Sequence, residues 1–314
     1  MSVVRLFLQR IALGAVAAWA VMTAVFVGFT MTDDWVKQGL EGQLRLAGIT
    51  GEELEARLDA YLADRGLDRP VWEQYVDWMG DMMTLSWGES LVTGEPVLEL
   101  VGAAVLRTGM YVVPAIVFGL SIGMLVGLYA ALNPESRFAN GGRGTAYLVF
   151  ALPSFWIGGM FVSLLEGDVI SRSPVVFDHA LPIGLATAAI LGGYVSYTRA
   201  YAIEHASADF ITLVKAKGAG PVLVAKHVVR NAAVPLFSML FTEALALLVL
   251  AVFMIEVLFA IDGFGLLFLE AIQNRDLPVL LGSTIVVIGF GVVGNIIQDL
   301  SYSYLDPRVD AGSR

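Results

Sequence analysis

The sequence predicts an all-α polytopic membrane protein: six transmembrane helices, an extracytoplasmic helical insertion after the first, and a cytoplasmic helix between the fourth and fifth. Three observations carry this. Of the 314 residues, 57% are hydrophobic and 15% charged, with a mean hydropathy of +0.74; soluble domains run at about 45–50% and about 25%. The apolar excess gathers into runs near 7–30, 104–132, 144–165, 179–198, 234–260 and 279–301, each close to or beyond the roughly 20 residues that cross a bilayer. Charge concentrates between the runs, above all in 31–103 and 199–233. Hydrocarbon offers backbone groups no partner, so helices are the expected spanning form. The expected boundaries are an N-terminal anchor helix at 1–30, an outer insertion at 31–103, and a membrane domain at 104–314 that holds five spans and the loop 199–233.

Arg5 and Arg10 stand at the head of the first run. A signal peptide has the same polarity, but the apolar stretch from Ile11 to Phe29 outruns the core of about 7–15 residues such peptides carry. The cleavage-like Ala17–Ala20 lies in mid-run, so a retained span is expected.

Six spans put both termini on one side. If that side is the cytoplasm, the inner segments 1–10, 133–145, 199–233 and 302–314 hold 11 Lys/Arg and 5 Asp/Glu. The outer segments 31–103, 166–178 and 261–278 are longer in total, yet hold 7 Lys/Arg and 21 Asp/Glu. The positive-inside bias therefore predicts cytoplasmic termini and an acidic outer insertion. That acidity suits a well-solvated loop, or equally a surface adapted to a salt-rich medium.

The insertion has helical structure of its own. Thr50 and Glu53 form a capping-box pattern, and Leu54, Leu58 and Leu62 repeat at helical spacing up to Gly66. A second helix is expected from Pro70, a residue favoured in a first turn. Its Trp72, Tyr75, Trp78, Met79 and Met82 suit the membrane interface, where such side chains collect, or packing against the tops of the spans.

Most catalytic chemistry is excluded. There is no cysteine, hence no disulfide, thiol nucleophile or Cys metal site. Gly119-Leu-Ser121-Ile-Gly123 fits a nucleophile elbow, but that motif needs a strand, a turn and a histidine partner, and this one lies within a span. With Gly127 it forms a small-residue stripe every fourth position, which lets helices approach closely. His179, His205 and His227 are not spaced as metal ligands, and no P-loop is present. No catalytic residue, cofactor, metal or nucleic-acid partner is expected. Of the acids near the spans, Glu243 and Glu256 are candidates for lining a transport path, with Asp299 closer to an interface. A structural capping role is the alternative for each.

The loop before the fifth span reads "TLVKAKGAGPVLVAKHVVRNAAVPL" from Thr212 to Leu236, with four cations and no acid. A helix of three turns is predicted from about Ser207 to Lys217, with Phe210, Leu213, Val214 and Lys217 on one face. Gly218, Gly220 and Pro221 end it, and a second helix starts near Val222. Such a segment suits an anionic lipid surface or a docking site for a cytoplasmic partner.

Ala216-Lys217-Gly218, Lys226-His227, Arg230-Asn231-Ala232 and Pro235 resemble the cytoplasmic EAA loop of ABC-importer permeases, most closely the dipeptide/oligopeptide/nickel permease family. The stretches "GLDRPVWEQYVDWMGDMM" and "SWGESLVTGEPV", Leu152–Gly159, Ile255–Gly265, Asn274–Pro278 and Asp299–Arg308 resemble further parts of that family, in the right order. Two departures stand out: Thr212-Leu213-Val214 replaces Glu-Ala-Ala, and Ile261-Asp262-Gly263 replaces Trp-Pro-Gly. The resemblance implies a binding-protein-dependent import permease of the cell membrane, its substrates peptides, nickel or oligosaccharides, with peptides the first expectation. It implies a second homologous permease, two cytoplasmic ATPase subunits that hydrolyse the ATP, and an extracytoplasmic solute-binding protein. It also implies that Phe210, Leu213, Val214, Lys215, Lys217 and Gly218 belong to a helix that couples to an ATPase, with Ser154, Phe155, Glu243 and Glu256 as candidates for the path or its gate. The alternative class is a polytopic membrane enzyme or a passive channel. An enzyme needs a convergent polar constellation within the spans, and a channel has no need of a basic docking loop.

Overall fold

The structure, a computed structural model, describes residues 3–167, 170–171, 173–206, 209–220, 223–228 and 252–305. Among them all regular structure is helical apart from one isolated bridge between Glu89 and Pro96. Among the described residues four helices are long and apolar enough to cross a membrane, or up to six if two bent helix pairs each form one span. Most of the predicted fifth span, 234–251, lies outside the described residues. The chain divides into two compact units, one made mainly of Leu106–Leu266, the other of Ser2–Val105 with Leu267–Val292.

The second of these units opens with α1 (Val3–Met31) and continues through α2 (Trp35–Leu46), α3 (Glu52–Asp64) and α4 (Val71–Met83). Asp34 caps α2 by accepting from Val36 N and Lys37 N. The α3 cap is Gly51, at φ +66 and with no side-chain bond, so Thr50 stands one residue too early to be the cap that the Thr50–Glu53 pattern predicts. The chain turns here through a left-handed backbone that favours glycine. Pro70 precedes α4 as its cap. The helix packs on α1 through edge-on contacts of Phe26 with Tyr75 and Trp78, and Thr23 bonds Tyr75 across 2.9 Å. Trp87 is buried; its indole N–H donates to Met82 O, and Gly282 leaves room for its ring.

The other unit is a helix bundle. Its members are α5 (Val97–Leu132, whose first residues belong to the unit with α1), α6 (Arg137–Ala151), α7 (Ser154–Glu166), a π turn at Val175–Ala180, α8 (Leu181–Ala206), α9 (Asp209–Ala216), helical residues 223–228, and α10 (Val252–Phe259). Its core joins Tyr111 and Ala115 to Phe177, Leu185, Ile190, Tyr194, Ile255 and Phe259. The glycine stripe of α5 lies against α8. A Cβ on Gly119 would come within 2.6 Å of Ile190 Cδ1, one on Gly127 within 2.8 Å of Val195 O, and one on Gly123 would overlap Tyr194 Cβ. The elbow-like sequence is therefore a close-packing seam.

The span predicted as continuous over 144–165 is broken. The helices α6 and α7 meet at 76°, with Leu152 extended at ψ 125 and Pro153 capping α7. Proline lacks an N–H and disfavours helix in the residue before it. A second break, of 84°, separates α10 from α11 (Phe264–Gln273). The last helix, α12, runs Leu277–Leu305.

Candidate functional site

Two places in the bundle hold the residues singled out by the sequence. The first is α9. Its described residues run Asp209–Ala216; Ser207 and Ala208, where the predicted helix starts, lie outside the described residues. Its root is Ile211, fully buried in a cluster with Ala131, Ala202, Val224 and Val228, against which Val214 and Ala219 also pack. Of the predicted face Phe210, Leu213, Val214 and Lys217, Val214 is partly buried against this cluster, which Ile211 anchors. Leu213 is 57% exposed and Lys217 is exposed. The side chains of Phe210 and Lys215 lie outside those described.

The helix ends as the sequence predicts. Gly218 stands at φ +81, Lys217 N donates to Leu213 O, and Ala219 N reaches back to Val214 O at 3.3 Å. That five-residue reach, with Ala219 and Val214 packed in one cluster, is a Schellman stop. It satisfies orphan carbonyls and fixes the direction in which the chain leaves. The result is a short amphipathic knob seated on the bundle, with one large aliphatic side chain and a lysine facing outward.

The second place is the turn between α10 and α11. Glu256 is fully buried. Its Oε1 accepts from Thr108 Oγ1 at 2.5 Å and Tyr111 OH at 2.9 Å, and its Oε2 accepts from Leu266 N at 2.9 Å. Thr108 Oγ1 also accepts from Phe264 N at 2.7 Å, and Arg107 Nη1 donates to Asp262 O at 3.1 Å. Two amides in the first turn of α11 are thus satisfied from α5 and α10, and a carboxyl sits where the helix dipole favours it. A Cβ on Gly263 would run into the Glu256 carboxyl, and one on Gly265 would crowd its Oε2 at 3.1 Å.

Glu256 therefore anchors a bent helix pair, and its carboxyl is fully engaged within the protein. Glu243 lies outside the described residues, and so does the side chain of Asp299. Ser154 and Phe155 open α7 just after the bend; Ser154 is half-buried and Phe155 exposed. Sequence reasoning missed Ile211, Thr108 and Tyr111. Only Ile211 left a local signal, at one helical turn from Val214.

The family model of the binding-protein-dependent transport system inner membrane component matches residues 123–311, more than half of the chain. This chain belongs to that family. It is a multi-pass inner-membrane permease subunit of a binding-protein-dependent importer, and ATP hydrolysis lies on partner subunits. Among its relatives is the oligopeptide transport system permease protein AppB of Bacillus subtilis, 26% identical over 91% of this chain and 95% of that protein. The dipeptide transport system permease protein DppB of Alkalihalophilus pseudofirmus is 30% identical over 83% of this chain and 88% of its own length. The metal-staphylopine import system permease protein CntB of Staphylococcus aureus is 27% identical over 79% of this permease and 81% of CntB. The match begins at Gly123, in the middle of α5, and so takes in α9 and the Glu256 turn.

Proposed function

We propose that this permease imports peptides, forms its path with a second homologous permease, and is driven by two cytoplasmic ATPases through α9. The observation that carries the reading is the seating of α9: Ile211 is buried in the bundle while Leu213 stands 57% exposed on the same short helix. A knob rooted in this way transmits force, because packed interiors shift between discrete arrangements and do not flex smoothly. Peptide specificity is supported by the likeness to AppB, an oligopeptide permease protein, and DppB, a dipeptide permease protein. In this reading both termini and α9 are cytoplasmic, residues 31–103 face outward, and a solute-binding protein lands there. The cation excess of the inner segments supports that orientation.

Two experiments test it. A chain without cysteine takes single labels cleanly. A cysteine at Lys217 should resist an impermeant thiol reagent in intact cells and react in inverted vesicles; labelling in intact cells reverses the topology. Phe210→Ala with Leu213→Ala should lose co-purifying ATPase and binding-protein-stimulated hydrolysis. Unchanged stimulation would leave α9 as a lipid-surface helix only.

A further inference from the structure

Arg275 and Asp276 are neighbours in the turn between α11 and α12, and each holds a different end of the outer insertion. Arg275 is 4% exposed and has a left-handed backbone, φ +52, a conformation that persists in a non-glycine residue when its surroundings over-determine it. Its guanidinium donates to Phe29 O at 2.7 Å, Asp33 O at 2.9 Å and Thr32 Oγ1 at 3.0 Å. It lies 4.1 Å over the Phe29 ring and 4.7 Å over Trp35, with the Asp34 carboxylate 3.5 Å from Nε. The planar fork thus caps the end of α1, where carbonyls lack partners, and reaches the start of α2.

Asp276 holds the other end. Its Oδ2 accepts from Ser90 Oγ at 2.5 Å, and its Oδ1 accepts from Val279 N in the first turn of α12. Ser90 in turn organises the turn that leads into α5. Its Oγ accepts from Val92 N and Thr93 N, and its amide donates to Glu95 O. The middle of the insertion is held as well: Arg65, just past α3, donates to the carbonyls of Asn274 and Arg275, and Trp35 Nε1 donates to Gln273 O. Four consecutive residues, 273–276, therefore bind segments at 29–35, 65 and 90.

A segment tied at one end pivots under load, whereas one tied at both ends carries its support along. We propose that Arg275 and Asp276 are positioning residues for transport: they clamp the insertion and the first half of α12 into one lever, so that a solute-binding protein landing on the insertion moves the last span without slack. This rests on the importer reading above and names the route by which the outer partner acts.

The test uses the assembled transporter in lipid nanodiscs, with its permease partner, its ATPases and its binding protein. Stimulation of the wild-type complex by the binding protein is the control; its absence would count against the importer reading and not against the clamp. Arg275→Lys keeps a cation in the cage without the fork, and Asp276→Asn weakens the bond from Ser90. Each should lower maximal stimulation, taken as the ratio of stimulated to basal hydrolysis of the same preparation, about tenfold and leave the half-saturating concentration of binding protein unchanged; loss of folded complex lowers both rates together and leaves that ratio as it was. Full stimulation, or a loss seen only as weaker binding, would overturn the proposal. A second measurement holds even if the variants fail to assemble. Spin labels at Asp59→Cys on α3 and Val287→Cys on α12, in an otherwise unaltered chain, should keep one separation in the nucleotide-free and ATP-bound complexes. A change beyond about 5 Å, the size of a one-turn helix shift, would show that the insertion and the last span move apart.

Discussion

Thr108 stands between Glu256 and the first amide of α11: its hydroxyl donates to Glu256 Oε1 at 2.5 Å and accepts from Phe264 N at 2.7 Å. Thr108→Val keeps the shape and removes both bonds, leaving a buried carboxyl oxygen with one donor fewer and an amide with none from this source. The expected loss is about 1–3 kcal/mol, read as a lower thermal midpoint of the purified complex. Thr108→Ser should recover most of it, because the hydroxyl and not the methyl makes the link. Equal midpoints for Thr108→Val and wild type would mean that α11 is held elsewhere.

The seam between α5 and α8 makes a sharper prediction about bulk. Gly123→Leu drives a side chain into Tyr194, where even a Cβ overlaps. Overpacking typically costs about 1–3 kcal/mol, and more is expected here because backbone atoms of Tyr194 and Val195 lie close behind. Gly184→Ala is the control, since a Cβ there meets nothing within 4 Å. Yield of monodisperse protein from membranes should collapse for the first variant and hold for the second. Normal yield for Gly123→Leu would argue that the stripe does not carry the seam.

In the insertion, Tyr61 donates to the Asp34 carboxylate at 3.1 Å. Burial pushes its phenol from 10.0 up to about 12, with the Asp34 charge adding to the rise and Arg65 opposing it. The folded pKa is above the unfolded one, so Tyr61 contributes stability that is complete below pH 10 and lost as the pH rises through about 12. An ultraviolet difference titration of wild type against Tyr61→Phe should show one phenol ionising near pH 12. A difference centred near 10 would mean that Tyr61 is solvated.

Much of this architecture is legible in the residues, where the cause is local. Apolar run lengths mark the helices of α1, α5, α8 and α12, and glycine spacing marks the α5 seam. Gly218 marks the end of α9, because a left-handed stop needs a residue without Cβ. The bend at Leu152–Pro153 also had a local signal, but the apolar run continues across it and length alone reads as one span. Ile211 was missed because the partners that bury it, Ala131 and Ala202, come from other helices. The Arg275 cage is invisible in sequence for the same reason: Phe29, Thr32 and Asp33 lie more than 240 residues away. Helical phase gives a choice of faces, and only tertiary contacts choose between them.

That choice of faces on α9 yields the last prediction, a separation of two neighbouring apolar residues. Ile211 is fully buried in the bundle, whereas Leu213 is 57% exposed. Ile211→Ala removes buried aliphatic volume among Ala131, Ala202, Val224 and Val228, and such truncations cost about 2–5 kcal/mol. It should lower the thermal midpoint of the permease whether or not ATPase is present. Leu213→Ala removes a side chain that already meets solvent, so the isolated permease should keep its midpoint. If α9 docks in an ATPase groove, the same substitution loses about 1.5–3 kcal/mol of burial on assembly, a weakening of about tenfold or more in ATPase affinity. The two variants should therefore exchange rank between a stability assay on the permease and a binding assay with the ATPase. If Leu213→Ala binds ATPase as tightly as wild type, the exposed face of α9 is not the contact. The coupling surface would then have to be sought on another cytoplasmic segment, the turn before α6 at 133–136 being the next to test.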